Sequence, residues 1–226
     1  MADGVRSAFS FKIANMIDFQ RYGGKRAYFA HLRARVLFSV GFYNSAPAVD
    51  WGSIKRLAFV CQGNICRSPY AAERAKTLGL RSISFGISAV GGACANESAS
   101  RVARARGIDL SAHRSARFQA TQMAPGDLIL VFEPAHLRDV MDHNLSAVSG
   151  VTLLGLYTRP VWPHIYDPYG RSDSYFHQCF SVIDLSIQEL AKRLSGQSAP
   201  ASANSIRDAT ATLSTSVKPI NTGESS

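Results

Sequence analysis

Residues 57–70 read LAFVCQGNICRSPY, and this stretch constrains the fold more than any other. Residues 57–60 are a short apolar run suited to a buried strand. Cys61 follows directly, then Gly63 and Asn64, the residue types that best tolerate positive φ. Ser68 and Pro69 then open a helical pattern, with Ser as N-cap and Pro at the first helical position. Strand, tight loop and helix N-terminus in that order aim the backbone N–H groups of residues 62–67 at one place. With the positive end of a helix behind it, such a concavity is an anion site.

The side chains indicate what happens to the anion. Cys61 faces those N–H groups and Arg67, and both favour its thiolate. Arg67 carries a planar fork able to hold two oxygens of a phosphate. A thiolate behind phosphorus and a guanidinium beside it are the parts for in-line displacement through a phospho-cysteine. A Cys with an Arg six residues later is a weak signal by itself. The strand before it, Gly-Asn within it and Ser-Pro after it set it apart from a buried Cys at a strand end.

From residue 55 onward, strand and helix patterns alternate. Strands are expected at 56–60, 82–88, 127–132 and 151–154. Helices are expected at 68–78, at about 96–106, at 134–143 and at 173–194, with a short helix at 115–123. DLILVF at 127–132 is an unbroken apolar run, as in a strand covered on both faces. In the last helix Phe176, Phe180, Ile183, Ile187 and Leu190 share one side. Residues 161–170 form a loop rich in Pro and aromatics. This alternation predicts an α/β domain over 54–194 with a doubly wound parallel sheet and helices on both faces. Its site lies beyond the carboxyl ends of the strands, where Cys61 stands.

Displacing an ester oxygen needs an acid from another segment. Asp167 in YDPYG is the best candidate, because Pro168 stiffens the loop and Tyr166 and Tyr169 keep the carboxyl partly dry. Without the loop at Cys61 it would read as an ordinary turn Asp before Pro.

Residues 1–53 are expected to be a helical extension and linker. Phe9, Ile13, Met16 and Ile17 fall on helical spacing. So do Tyr28, Phe29, Leu32, Val36, Leu37 and Val40, with Arg33 and Arg35 on the other face. Two readings stand. One is a helical pair packed through these apolar residues on the domain or on a second copy of the chain, giving a homo-oligomer. The other is a basic amphipathic element for a membrane surface or a partner. Everything needed for phosphoryl transfer is expected between residues 55 and 194. Residues 195–226 are rich in Ser, Ala and Thr, hold no aromatic residue, and read as a disordered tail.

The net charge of +9 is spread over two regions. Residues 1–53 carry seven basic and three acidic groups, and residues 54–194 carry sixteen and eleven. There is no basic tail, so a solvated basic surface is favoured over nucleic-acid binding, and an anionic substrate is consistent with it. The four cysteines, 61, 66, 94 and 179, form no CxxC pair and no zinc spacing, so neither a metal nor a cofactor is expected. A catalytic thiolate wants a reducing compartment, which predicts a cytoplasmic location.

VCQGNICRSP resembles the phosphate loop of the low-molecular-weight protein tyrosine phosphatases. The likeness covers about residues 55–193 and continues in GIDLSAHRSAR at 107–117, DLILVFEPAHL at 127–137 and YDPYG at 166–170. It implies a four-stranded parallel sheet of order 2-1-3-4. It also implies phosphotyrosine hydrolysis with Cys61 as nucleophile, Arg67 as transition-state clamp and Asp167 as acid, then base. Gln62, Gly63, Asn64, Ile65, Cys66 and Ser68 would hold the phosphate, with Tyr169 at the rim. Asn64, Ser68, Ser88 and His113 match a network that props the loop. The family often has a second loop Cys able to form a disulfide with the nucleophile. For Cys66 that role and a small buried hydrophobe are both open. The loop AVGGACANES lacks the rim aromatic usual in the family, which leaves Tyr169 and Tyr166 to flank a phenyl ring. Tyr169 followed by Gly170 is closer to bacterial members, which often act on tyrosine kinases that control exopolysaccharide export. The partner expected is thus a tyrosine-phosphorylated protein such as a bacterial tyrosine kinase. Two rivals are a thiol-dependent arsenate reductase and a non-catalytic phosphotyrosine-binding module. The first would need relay cysteines where the chain reads FEPAHLRDVM, and the second would be expected to lack the nucleophile or the acid.

Overall fold

The structure is a computed structural model and describes residues 19–45, 49–145 and 148–196. The expected helix through Phe9 and Ile17, and nearly all of the expected tail, lie outside these residues.

Four parallel strands form one sheet in the order β2-β1-β3-β4. They are β1 (Arg56–Cys61), β2 (Ser82–Gly86), β3 (Asp127–Val131) and β4 (Gly150–Leu153). Leu57 pairs with Ser82 on one side and with Leu128 on the other. Every residue of β3 is buried: Leu128, Ile129, Leu130 and Val131 are the apolar run a central strand requires, and Asp127 is paired with Arg56.

The alternation of β1 feeds two cores. Leu57, Phe59 and Cys61 face a cluster with Tyr70, Val102, Phe176 and Phe180. Ala58 and Val60 face a second cluster with Phe118, Leu137 and Val140. Period two therefore places Cys61 on the same face as the helices α2 (Arg67–Thr77), α3 (Glu97–Arg104) and α5 (Asp173–Leu194). Helix α4 (Pro134–Met141) covers the other face. In α5 the five apolar residues named above are all buried, and Phe180 stacks on Tyr70 with centroids 3.7 Å apart. Each such side chain contributes about 1.5–3 kcal/mol.

Three local expectations are corrected. Helix α2 starts at Arg67 with Cys66 as its cap residue, not at Pro69 with Ser68 as cap. The Ser68 hydroxyl is drawn inward, 3.0 Å from the Cys61 Sγ. Pro69 is tolerated in the first turn because the N–H it lacks has no helical partner there. Residues 115–123 form no α-helix. Arg117 bridges Gly86 at the sheet edge, and only a 3-10 turn, Ala120–Gln122, follows. Strand β2 ends at Gly86, where the backbone turns to accept from Phe118 N–H and donate to the Ala116 carbonyl.

The largest correction concerns α1 (Lys25–Ser39), which packs on the domain with the opposite face to the one its large apolar residues suggest. Ala27, His31 and Ala34 are buried. Phe29, Val36 and Val40 are 61%, 54% and 72% exposed. The alanines at i and i+7, on either side of His31 at i+4, let the helix approach closely. An aromatic cluster then fixes it: the His31 ring lies 4.3 Å from Trp162, and Tyr22 stacks on the same indole at 5.0 Å.

Burial, with the charges of Arg35 and His164, pushes His31 down to about 4. Burial and the Arg67 charge do the same to His136 in α4, against the pull of Glu133. Both rings are thus neutral in the fold and protonate more readily in the unfolded chain. Their contribution to stability is complete above about pH 6.5 and is lost as the pH falls from there towards 4. We expect the urea unfolding midpoint to drop between pH 7 and pH 4.5, and to drop less in His31→Phe, which keeps an aromatic ring on Trp162. A flat midpoint across that window would contradict the burial of two neutral imidazoles.

Candidate active site

Between the end of β1 and the start of α2, residues 62–66 turn over the N-terminus of the helix. The turn depends on Asn64, whose φ of 55° is the one positive value at a non-glycine among the described residues. That conformation costs energy, and the side chain is held in return. Its Nδ2 donates to the hydroxyls of Ser68 at 2.9 Å and Ser84 at 3.0 Å. Its Oδ1 accepts from the Ala116 N–H at 2.8 Å, and its carbonyl lies 2.7 Å from His113 Nε2. Gly86 lies beneath the loop, where a Cβ would come within 2.9 Å of Gln62, Gly63 and Asn64. No backbone N–H of residues 62–66 donates within the chain among the described hydrogen bonds. They are available to an anion.

The resemblance places Ser88 in the network that props the loop; Ser88 meets the loop at Gln62, and the serine of β2 that reaches Asn64 is Ser84. Ser88 accepts from Gln62 Nε2 at 3.0 Å and donates its own N–H to the Gln62 carbonyl. Ser84 lies within β2, so its side chain is aimed by the strand at Asn64, whereas Ser88 lies beyond the strand end.

Arg67 has 1% of its side chain exposed, and its charge must be answered inside the protein. Burial opposes that charge. Asp167, Glu133 and Cys61 overcome it and keep the guanidinium protonated. Nη1 donates to the Ile165 carbonyl at 2.8 Å and to a Glu133 carboxylate oxygen. Asp167 Oδ2 stands 2.7 Å from Nη2. That contact is close but poorly aligned, and Nε and Nη2 have no hydrogen-bond acceptor although both are buried. One edge of the guanidinium is therefore bound by the protein, and the other edge offers two donors side by side.

Glu133, which directly follows Phe132 at the carboxyl end of β3, anchors this arrangement. Its second oxygen lies 3.1 Å from His164 Nε2. Burial works against its charge, but the His164 contact and the charges of Arg67 and His136 outweigh it and hold the carboxyl down to about 2.

A cavity of about 200 Å³ opens over the loop, lined by Cys61, Gln62, Gly63, Ile65, Cys66, Asp167 and Tyr169. Residues from two segments more than a hundred positions apart meet there. Tyr169 is 62% exposed at the rim, and its N–H donates to Asp167 Oδ1 at 3.1 Å. The thiols of Cys61 and Cys66 are both free. Burial, then the nearby Asp167 and Cys61, pushes the Cys66 thiol far up, which makes it a poor nucleophile. Sequence reading left Glu133 without a role and missed Ser84 and His164. For Glu133 a signal existed, because an acidic residue ends an otherwise apolar central strand beside β1. Ser84 and His164 left no such signal.

A parallel α/β sheet with a cysteine and an arginine at the two ends of an anion-cradling loop defines a cysteine-dependent phosphatase. A family model described as low molecular weight phosphotyrosine protein phosphatase matches residues 56–199. The chain belongs to this family and is a protein tyrosine phosphatase. The probable low molecular weight protein-tyrosine-phosphatase EpsP of Ralstonia nicotianae is 32% identical over 143 residues, 62% of this chain and 97% of that one. The crystal structure of the tyrosine phosphatase AmsI of Erwinia amylovora superposes with a TM-score of 0.58 at 32% identity, covering 63% of this chain and 94% of that one. For the tyrosine phosphatase Wzb of Escherichia coli K30 in complex with sulphate, the TM-score is 0.56 at 31% identity, with coverages of 62% and 99%. Neither the arsenate reductase nor the binding-module reading is favoured by these likenesses.

Removing the Glu133 charge would leave Arg67 buried with Asp167 as its main counter-charge. We expect Glu133→Gln to lower the unfolding free energy by about 3 kcal/mol at pH 7, as breaking a buried pair does. It should also weaken inhibition by inorganic phosphate, since the guanidinium loses its anchor. Urea titration and phosphate inhibition measure the two effects. A variant as stable as wild type would show that Glu133 does not carry the buried charge.

Proposed function

We propose that Cys61 attacks the phosphorus of a phosphotyrosyl side chain while Arg67 holds two equatorial oxygens and Asp167 gives its proton to the departing phenolic oxygen. The S–P bond forms as the P–O bond breaks, and the protein leaves with its tyrosyl hydroxyl restored. Asp167, now a carboxylate, takes a proton from the water that attacks the phospho-cysteine. Inorganic phosphate and the Cys61 thiolate are released.

The observation that carries this reading is the unsatisfied edge of Arg67. Nε and Nη2 are buried without acceptors, and a phosphate satisfies both with two of its oxygens. In doing so it takes Nη2 from Asp167 and frees the carboxyl for proton transfer. Glu133 and the Ile165 carbonyl keep Nη1, so the guanidinium stays in place. The N–H groups of Gln62, Gly63, Asn64, Ile65 and Cys66 bind the remaining oxygens, and Ser68 donates to the thiolate. Tyr169, with Tyr166, flanks the phenyl ring. His113 and Ser84 support the loop, and Ser88 supports it through Gln62.

The substrate we infer is a tyrosine-phosphorylated protein, and within that class a bacterial tyrosine kinase of exopolysaccharide export. The bacterial relatives and the Tyr169-Gly170 pair after Asp-Pro support this reading. A reduced nucleophile supports a cytoplasmic location. Among the described residues no helix is long and apolar enough to cross a membrane. We infer that residues 1–53 extend a phosphatase domain at 54–194 and that α1 contacts an anionic membrane surface. Phe29, Leu32, Val36 and Val40 form an outward apolar stripe, and the helix carries Lys25, Arg26, Arg33 and Arg35 with no acidic residue.

Three substitutions test the chemistry. Cys61→Ser should abolish turnover of aryl phosphates yet still bind inorganic phosphate. Arg67→Lys should lose at least about 10²-fold in kcat, because a point charge cannot replace the fork. Asp167→Asn should slow hydrolysis by roughly 10²–10⁴ for a poor leaving group and by less for a good one. Substantial turnover by Cys61→Ser would sink the covalent route. For the helix, the protein should sediment with vesicles containing anionic lipid and not with neutral ones, and Val36→Glu with Val40→Glu should remove the difference. Self-association without vesicle binding would instead assign the stripe to a second copy of the chain.

A further inference from the structure

The stretch that bears Asp167 is held at several successive points, and the N-terminal segment packs behind two of them. His164 is held by Glu133, and Ile165 by the Phe132 carbonyl through its N–H and by Arg67 through its carbonyl. These holds come from the part of the chain that the family model matches. Trp162 is different. Its backbone N–H donates to the Gly155 carbonyl at 2.8 Å, but its indole is covered by Tyr22 and His31. Tyr22 lies nearly parallel to it, at 12°, and His31 is tilted at 44°. The His31 ring also lies against the backbone of His164.

The second hold runs through Tyr175 in α5. Its hydroxyl donates to the Tyr166 carbonyl at 3.4 Å, one residue before Asp167. The hydroxyl-bearing end of the Tyr175 ring lies against Gly23, where a Cβ would come within 2.7 Å. Gly23 also needs its φ of 84° to turn the chain into α1. Residues 22, 23 and 31 therefore press on both ends of the stretch 162–166.

We propose that the segment from Phe19 to Ser39 is a positioning element of the active site, which sets the acid-bearing loop through Tyr22 and His31 on Trp162 and through Gly23 on Tyr175. Tyr22 and His31 are positioning residues, because they touch neither the cavity over Cys61 nor its lining. The proposal rests on the reading of Asp167 as the general acid. It replaces the expectation that everything needed for phosphoryl transfer lies between residues 55 and 194. A proton donor displaced by a fraction of an ångström costs rate only when the leaving oxygen needs the proton. A general loss of structure costs rate on every substrate. Leaving-group dependence therefore separates positioning from mere support.

The test uses the full chain, with phenyl phosphate as the poor leaving group and 2,4-dinitrophenyl phosphate as the good one. Tyr22→Ala and His31→Ala should each slow kcat on phenyl phosphate about tenfold or more while changing the dinitrophenyl substrate less than about threefold. The inhibition constant of inorganic phosphate should stay within about twofold of wild type, since the Cys61 loop is untouched. Tyr22→Phe keeps the stacked ring and should restore wild-type kcat on both substrates. If His31→Ala unfolds, Tyr22→Ala, at a half-buried position, decides alone. Asp167→Asn is the reference. If it discriminates between the substrates and the N-terminal variants do not, the proposal is overturned and the acid assignment stands. If Asp167→Asn loses both substrates equally, the acid assignment falls and takes the proposal with it.

Discussion

The structure turns on one electrostatic constraint, the charge of Arg67 with almost no access to water. A buried guanidinium is tolerable only if carboxylates and carbonyls reach it in the right geometry. Here they come from the end of β3 and from the loop after β4, as Glu133, the Ile165 carbonyl and Asp167. The Phe132 ring lies 5.6 Å from the guanidinium carbon and adds a cation–π contact. One arginine at the start of α2 therefore fixes how two other segments meet the phosphate loop. The same pairing brings Asp167, about a hundred positions away in sequence, into the lining of the cavity of about 200 Å³ over Cys61.

The loop itself is prepared before any anion arrives. Its strained residue is held from three directions, by α2 through Ser68, by β2 through Ser84 and by the segment around Ala116 and His113. A loop held this way keeps its amide donors fixed, and donors that need no reorganisation are the ones that stabilise developing charge most. Gly86 is part of the same device. With no side chain there, the sheet edge can lie directly under the loop.

Helix α1 shows a different balance. Its apolar content would place Phe29, Val36 and Val40 inward, yet the helix docks through alanines and one neutral histidine. The contact is chosen by ring geometry, because Tyr22, His31 and Trp162 interlock and the small residues let the backbones come close. A stripe of large apolar residues is left facing out, while the inner side of the same helix packs on Trp162, five residues before Asp167.

What the sequence determined by itself is what local order can carry. The alternation of apolar runs and helical periods specified four strands and the main helices. The unbroken run at 127–132 marked a central strand, and the stride of Phe176 to Leu190 marked the inner side of α5. The order strand, Cys, Gly-Asn, helix was enough to locate a tight loop beyond the carboxyl end of β1 and the positive φ of Asn64 within it. The tertiary structure alone decided which residues answer the charge of Arg67, which serine props Asn64 and which face of α1 turns inward. It also decided where α2 begins, because the hydroxyl of Ser68 found a thiol and not its own helix. Apart from the Ser68 contact with Cys61, seven positions away, those outcomes depend on contacts between residues 20 to 140 positions apart. Periodicity along a chain reports which way a residue points relative to its neighbours. It carries no record of what distant segment will be waiting there, and burial of a charge or a ring is settled only when the two meet.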